Sequence, residues 1–247
     1  MIGLKDFLKR AFITRKCILC GDVIDYERET PFCDECLPEW LNNLDSMCVK
    51  CGFDCDFCTC LPERVREISY LSTFGVFYTP KASTPVNRIV YKMKREHNFP
   101  TIRFCAKILA KKVVKSFAKN GTSYKDFVIT YPARRKKSII KYGYDHAELL
   151  AKELSKLLRL EYVKVFKNLG AEEQKALTKT QRFSNASGAY EIIKGANVKN
   201  KKFLIVDDVM TSGATLNICS KMLLSEGASA VVPIAFAKDT KTTNSSN

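Results

Sequence analysis

The chain has 247 residues, 46% of them hydrophobic, with 41 Lys+Arg against 26 Asp+Glu and a formal charge of +15. Such a composition builds a real core and excludes a disordered or fibrous chain. The apolar runs Phe203–Val206 and Ala230–Ala237 fall far short of the ~18 residues a membrane span requires. Lys5 and Asp6 stand where a secretory apolar segment would be, so the expectation is a cytoplasmic protein with no membrane span and no signal peptide.

The first feature in chain order is a cysteine cluster. Nine of the eleven cysteines lie between Cys17 and Cys60. They read Cys17-x2-Cys20, twelve residues, Cys33-x2-Cys36, eleven residues, Cys48-x2-Cys51, then Cys55, Cys58 and Cys60. A Cys-x2-Cys turn holds two thiolates at the spacing tetrahedral zinc needs, and two such turns close its shell. Gly21 and Gly52 follow the second cysteine of two pairs, where a tight turn calls for positive φ. Disulfides are the competing use, disfavoured by the expected cytoplasmic location. The simplest assignment gives Cys17, Cys20, Cys33 and Cys36 to one structural zinc and Cys48, Cys51, Cys58 and Cys60 to a second. Cys55 can replace either of the last two, and an interleaved pairing or a single ion stays open at this level. With little apolar material of its own, the segment is expected to fold with its metal.

After Pro62 the pattern becomes one of alternating strands and helices. Tyr70–Tyr78 reads as a strand. Val86, Ile89, Val90 and Met93 recur at helical spacing, with Arg88, Lys92 and Arg95 opposite. Ile102 to Phe117 continues as a longer helix that stops near Asn120-Gly121. Asp126–Tyr131 is a strand ended by Pro132, Ala147 to Leu158 a helix, and Tyr162–Phe166 a short strand. Phe203–Val206, Ala214–Glu226 and Ala230–Phe236 complete the series as strand, helix and strand. This order predicts an α/β fold with a parallel sheet. The expected division is a zinc-binding module at 1–62, an α/β domain at 63–237 and a disordered tail at 238–247. Cys105 and Cys219, inside helical patterns, are read as buried small hydrophobes.

The charge is confined. From Lys81 to Lys141 there are 17 basic residues and two acids, Glu96 and Asp126, which leaves 24 of each sign elsewhere. Clustered cations gain affinity for polyanions by releasing counterions from phosphates. Arg88, Lys92, Lys94, Arg95, Lys136 and Lys137 are therefore the candidate nucleic-acid contacts, with single-stranded DNA as the expected partner. The aromatics interleaved with them, Tyr91, Phe99, Phe104, Phe117, Tyr124 and Tyr131, are read mostly as core.

A second motif follows, Phe203-Leu-Ile-Val-Asp207-Asp208-Val-Met-Thr211-Ser212-Gly213-Ala214-Thr215. A buried strand ends in two carboxylates, and a small-residue turn then opens a helix. Ligands of open α/β sheets bind beyond the carboxyl ends of strands. Free amides, the helix dipole and the Thr and Ser hydroxyls make a cradle for a monophosphate. Gly213 is read as clearing room for a phosphate oxygen. Paired acids beside an anion site suit the hydroxyls of a ribose, with a magnesium ion bridging sugar and pyrophosphate oxygens. No Gly-x4-Gly-Lys-Ser/Thr loop occurs.

The Val206–Thr215 segment resembles the 5-phosphoribosyl-1-pyrophosphate (PRPP) motif of type I phosphoribosyltransferases. With the cysteine cluster, the chain is similar to the ComF/ComFC competence-protein family across about residues 17–237. Tyr91-Lys-Met-Lys94, Pro132 with Arg134 and Arg135, Tyr142–Ala151, and Gln174, Lys175, Arg182 and Asn185 add to the likeness. It implies a type I phosphoribosyltransferase fold, a PRPP-like ligand, and handling of incoming single-stranded DNA in natural transformation, with a competence helicase as candidate partner. By that likeness Asp207 and Asp208 hold the ribose hydroxyls and Thr211–Thr215 the 5-phosphate, while Arg134 and Arg135 meet the pyrophosphate. Tyr142 stands where the family has arginine, and Asp145-His146 where it has Asn-Gln. His97 and His146 are read as surface residues. No catalytic residue is assigned. The alternatives are a phosphoribosyltransferase acting on a base or amine, and a zinc-ribbon interaction module with a vestigial pocket.

Overall fold

The computed structural model describes residues 14–25, 28, 30–96, 98–169 and 189–240. Two cysteine knuckles head the chain. In the first, β1 (Arg15–Lys16) pairs antiparallel with β2 (Val23–Ile24). The Cys17 amide donates to the Asp22 carbonyl at 2.7 Å and the Gly21 amide to the Cys17 carbonyl at 2.9 Å. The second knuckle repeats this closure, with Cys48 donating to Phe53 and Gly52 to Cys48, both at 2.8 Å. Gly21 and Gly52 have φ of 91° and 69°, the left-handed geometry that the sequence pattern predicts. A helix, α1 (Cys36–Leu44), follows the first knuckle, and a single turn, α2 (Glu63–Arg66), leads out of the second.

The larger part begins with β3 (Thr73–Tyr78), α3 (Pro85–Arg95), α4 (Phe99–Lys119) and β4 (Phe127–Thr130). It continues with α5 (Lys136–Tyr142), α6 (His146–Leu158), β5 (Phe166–Asn168) and β6 (Tyr190–Ile192). The last three elements are β7 (Lys202–Met210), α7 (Ala214–Ser225) and β8 (Ala230–Asp239). Local signals set the helix starts. Thr84 accepts from the Asn87 amide at 3.2 Å ahead of Pro85, and Asn98 accepts from the Thr101 amide at 3.1 Å ahead of Pro100, both N-caps.

The four main strands form one parallel sheet in the order β3-β8-β7-β4, as expected for an α/β fold. Its central strand β8 is buried at every position from Val231 to Asp239, the pattern of a strand covered on both faces. Helices α4 and α6 pack on each other and on the sheet, while α7 packs on β7 and β8 and also meets α2. The core beneath the first cysteine knuckle is shared with the sheet: Trp40 stacks on Phe32, and both rings meet Phe104 of α4 at 5.2 Å between centroids.

Three elements differ from the sequence reading. The strand expected at Tyr162–Phe166 is a single parallel bridge from Tyr162 to Ile129, followed by β5, which pairs antiparallel with β6. Strand β7 does not end at the aspartates but runs through them to Met210, because β8 continues to pair with it as far as Lys238. For the same reason the expected tail at 238–247 starts too early. Lys238 and Asp239 belong to β8, and Lys238 is 2% exposed over the rings of Phe74 and Phe77. The rest of that tail, 241–247, lies outside the described residues, as do His97, Gln174, Lys175, Arg182 and Asn185.

Candidate functional site

The turn after β7 has the features an anion requires. Gly213, at φ 70°, is the N-cap of α7, and Thr211 and Ser212 are exposed in front of it. The first four amides of a helix lack intrahelical acceptors and carry the positive end of its dipole. The Ser212 hydroxyl lies 3.4 Å from the Ala214 amide. Gly213 also has a second cause: a Cβ there would lie 2.4 Å from a Val65 methyl of α2. The missing side chain admits the inter-module turn, and Asn217 Nδ2 donates to the Arg64 carbonyl at 2.6 Å beside it.

Successive strand residues point to opposite faces, and the two aspartates do different things. Asp208 is 5% exposed and its Oδ2 is 2.5 Å from His146 Nε2 and 3.1 Å from Lys94 Nζ. Burial alone would raise its pKa. The His146 hydrogen bond and the charges of Lys94, His146 and Arg134 outweigh that and hold the carboxyl well below the usual range. Asp207 is half-buried and its Oδ1 accepts from the Asp208 amide at 2.8 Å. Burial, then repulsion from Asp208, raise its carboxyl to about 8. Tyr190 of β6 lies beside Thr215 and Asn168 and within electrostatic reach of Asp207; burial is the main cause that pushes its hydroxyl up to about 12.

The loop after Pro132 is organised by Asp145. Its Oδ1 caps α6, accepting from the Ala147 and Glu148 amides at 3.1 and 3.3 Å, and its Oδ2 accepts from the Arg134 amide at 2.9 Å. Asp145 therefore uses both carboxylate oxygens as acceptors. Tyr144 Oη donates to the end of α3, 2.9 Å from the Met93 carbonyl and 2.5 Å from that of Glu96. Arg134 is half-buried and Arg135, Lys136 and Lys137 are exposed.

His146 corrects the sequence reading: it is 1% exposed, not a surface residue. The signal was present. His146, Leu150 and Leu154 stand at i, i+4, i+8, so the histidine continues the apolar stripe of α6. Lys94 continues the stripe of Val86 and Val90 in the same way, which turns it inward. Of the candidate nucleic-acid contacts, Lys94 is thus bound to Asp208, and Arg88 is paired with Glu39 of α1. Arg95 is exposed and lies over the Tyr91 ring at 4.8 Å, and Lys92 is half-buried.

The cysteines assemble in two sets, Cys17, Cys20, Cys33 and Cys36, and Cys48, Cys51, Cys58 and Cys60, the sulfurs of each lying within 4.8 Å of one another. The pairing is sequential, and every cysteine is a free thiol rather than half of a disulfide. Cys20 and Cys33 sulfurs are 3.6 Å apart, close to the ~3.8 Å edge of a tetrahedron with 2.3 Å zinc–sulfur bonds. Each set could hold one zinc ion. Although burial raises the leading thiols Cys17 and Cys48, amide hydrogen bonds bring both down to about 6. Burial pushes Cys20, Cys36, Cys58 and Cys60 up, so metal binding to a whole set would release protons. Cys55 lies outside both sets, 3.2 Å from Lys112 Nζ. Cys105 and Cys219 are fully buried, as expected.

Residues 139–245 match the phosphoribosyl transferase domain. DNA utilization protein YhgH of Escherichia coli (strain K12) is 24% identical over 152 residues, 60% of this chain and 64% of that protein. Its Shigella flexneri counterpart matches with the same identity and coverage. The chain thus spans less than two thirds of the length of these curated relatives. Among solved structures, a hypoxanthine phosphoribosyltransferase from Staphylococcus aureus is 16% identical, with 61% of this chain and 70% of that one covered at a TM-score of 0.38. The domain match falls on the part of the chain from α5 to β8, which carries two strands of the parallel sheet. Among the described residues, no helix is long and apolar enough to cross a membrane.

Proposed function

We propose that this chain is a ComF-type protein that handles single-stranded DNA in natural transformation and carries a pocket for PRPP or a related sugar phosphate. Residues 1–62 act as the zinc module, and the domain that follows extends to the end of β8. The observation that carries this reading is one of placement. The anion-ready turn at 211–215 lies at the carboxyl end of β7, and α3 and α4, which carry 10 of the 17 basic residues between Lys81 and Lys141, pack on the same sheet. The relatives named for DNA utilization support the DNA part.

In the pocket, the amides of Thr211–Thr215 take the 5-phosphate, and Arg134 and Arg135 the pyrophosphate. Asp207 accepts from a ribose hydroxyl. Asp208, held by His146 and Lys94, fixes the stretch of β7 from which Asp207 projects. Magnesium, a hard cation served by oxygen donors, would find Asp207 and the ligand's own phosphates there and would neutralise their charge. The bound Asp208 is the feature that favours a vestigial pocket instead, and the phosphoribosyl transferase domain match favours an active transferase.

Titration calorimetry with PRPP and magnesium, on zinc-quantified protein with and without an oligothymidylate, tests the reading. Saturable heat that vanishes in Asp207→Ala, together with DNA affinity falling steeply with salt, is the expected result. No heat with PRPP leaves the vestigial module. Release of pyrophosphate across a panel of nucleophiles establishes the transferase. Salt-insensitive DNA binding overturns the DNA-handling role.

A further inference from the structure

A cleft of 320 Å³ opens between the second cysteine knuckle and α4, within the size range of small-ligand sites, roughly 300–1,000 Å³. One wall is a stripe of α4: Lys112, Lys115 and Lys119 stand at i, i+3, i+7 and all line the cleft. Seven residues of helix span about 10 Å, so the cations form a row rather than a point. Arg66, just past the second knuckle, adds a fourth. The one acid on the wall, Asp56, is shared, paired with Lys112 and lying 2.6 Å from Lys115 Nζ.

Two aromatic rings stand at this cationic cleft instead of in the core. Phe57 is 55% and Tyr70 74% exposed. Lys115 and Lys119 lie 5.4 and 5.6 Å from the Phe57 ring centre. At the base is Ser72, 7% exposed, whose buried hydroxyl has no hydrogen-bond partner among the described residues. A buried orphan hydroxyl costs free energy unless something satisfies it. A ligand entering the cleft would do so.

From these groups we infer that the cleft binds single-stranded nucleic acid, with phosphates along Lys112, Lys115, Lys119 and Arg66 and bases stacked on Phe57 and Tyr70. An acidic peptide would satisfy the cations but leave both aromatic faces without a role, whereas every base has a face to stack. A duplex hides its bases and would leave the rings unused as well. The inference rests on the DNA-handling reading but moves the contact surface away from α3, where Lys94 is tied to the buried Asp208, to a row of cations in which two lysines share the single Asp56.

The test is fluorescence anisotropy of a labelled oligothymidylate over a salt series, with zinc content as the control for folding. Phe57→Ala and Tyr70→Ala should each weaken binding by ~10-fold at an unchanged salt slope. Lys115→Ala and Lys119→Ala should each reduce the slope by about 0.7. Asp56→Asn, which frees two lysines, should tighten binding. Full affinity in the aromatic and lysine variants, with the loss falling on Arg88→Ala or Arg95→Ala, overturns the cleft while leaving DNA handling intact. Polyglutamate that competes as well as oligothymidylate overturns the nucleic-acid assignment. Wild-type protein that binds no oligonucleotide overturns both.

Discussion

His146, Lys94 and Asp208 are three residues from three elements that meet in a space with 5% or less exposure at the histidine and the acid. A buried carboxylate is stable only when its charge is matched and its lone pairs are engaged, and here both partners and the Val209 amide, 2.6 Å from Oδ1, share that work. At Asp207, next along the strand, the Asp208 amide and the Lys94 charge are outweighed by burial and by repulsion from Asp208, which gives the site a pH signature. Its carboxyl is raised from 3.8 to about 8 by burial and by Asp208. The folded chain therefore keeps a proton that the unfolded chain releases above pH ~4, and stability falls as pH rises through the window between those values. Asp207→Asn keeps the shape without the ionisation. It should melt near wild type at pH 4 and be more stable at pH 8 by at least about 1.4 kcal/mol, the worth of one pKa unit. Thermal melts across that range decide it, and a gap that does not widen with pH counts against the assignment. Stability gained by removing a pocket acid is also what a ligand-binding residue predicts.

At the scale of elements, the informative junction is that of α2 with the N-terminus of α7. The turn that opens α7 and the turn that follows the second cysteine knuckle are in van der Waals contact through Gly213 and Val65. Gly213→Ala meets two costs, a left-handed φ worth about 1–2 kcal/mol and a clash with Val65 in addition. Urea unfolding should show a loss of about 2 kcal/mol or more. Adding Val65→Ala should return the clash part and leave the conformational part, a coupling that a double-mutant cycle reads directly. Additive losses would mean that the two turns are energetically independent. The β5–β6 ladder is a comparable case: it sets Tyr190 beside Thr215, so that an element with little core of its own meets the start of α7.

For the whole molecule, the two metal sets and the sheet are mechanically joined. The first set is buttressed by Trp40 and Phe32 on Phe104. The second faces Lys238, whose Nζ is 3.9 Å from the Cys58 sulfur, at the end of the central strand. A zinc with four thiolates carries a net charge of about −2, so a buried lysine beside it is a matched counter-charge. Loss of one metal should therefore be felt locally first. Cys36→Ser should lower the zinc content from two ions per chain to one and shift the emission of Trp40 to the red. Trp40 is the single tryptophan of the chain and is 4% exposed. Retention of both ions, measured by elemental analysis, would contradict the assignment of Cys36 as a ligand.

The sequence alone determined what depends on short spacing. The turns Cys17–Cys20, Cys33–Cys36 and Cys48–Cys51 each have two intervening residues and a geometry that is local, and the positive φ of Gly21 and Gly52 belongs to two of them. Which turns share a set was left open until the fold paired them. Helices at Val86–Met93, Ile102–Phe117 and Ala147–Leu158 were legible because a 3.6-residue period marks one face for burial. The strand, turn and helix around Thr211–Thr215 were legible because the small residues of the turn are contiguous. Periodicity says that a face is covered but not by what. Only the tertiary structure brought His146 and Lys94 to Asp208, set Val65 over Gly213, extended β7 and β8 past the expected ends, and closed a cationic cleft between Phe57 and α4. Those pairings join residues tens of positions apart, and their partners are chosen by the packing of whole elements, which no local window of the chain encodes.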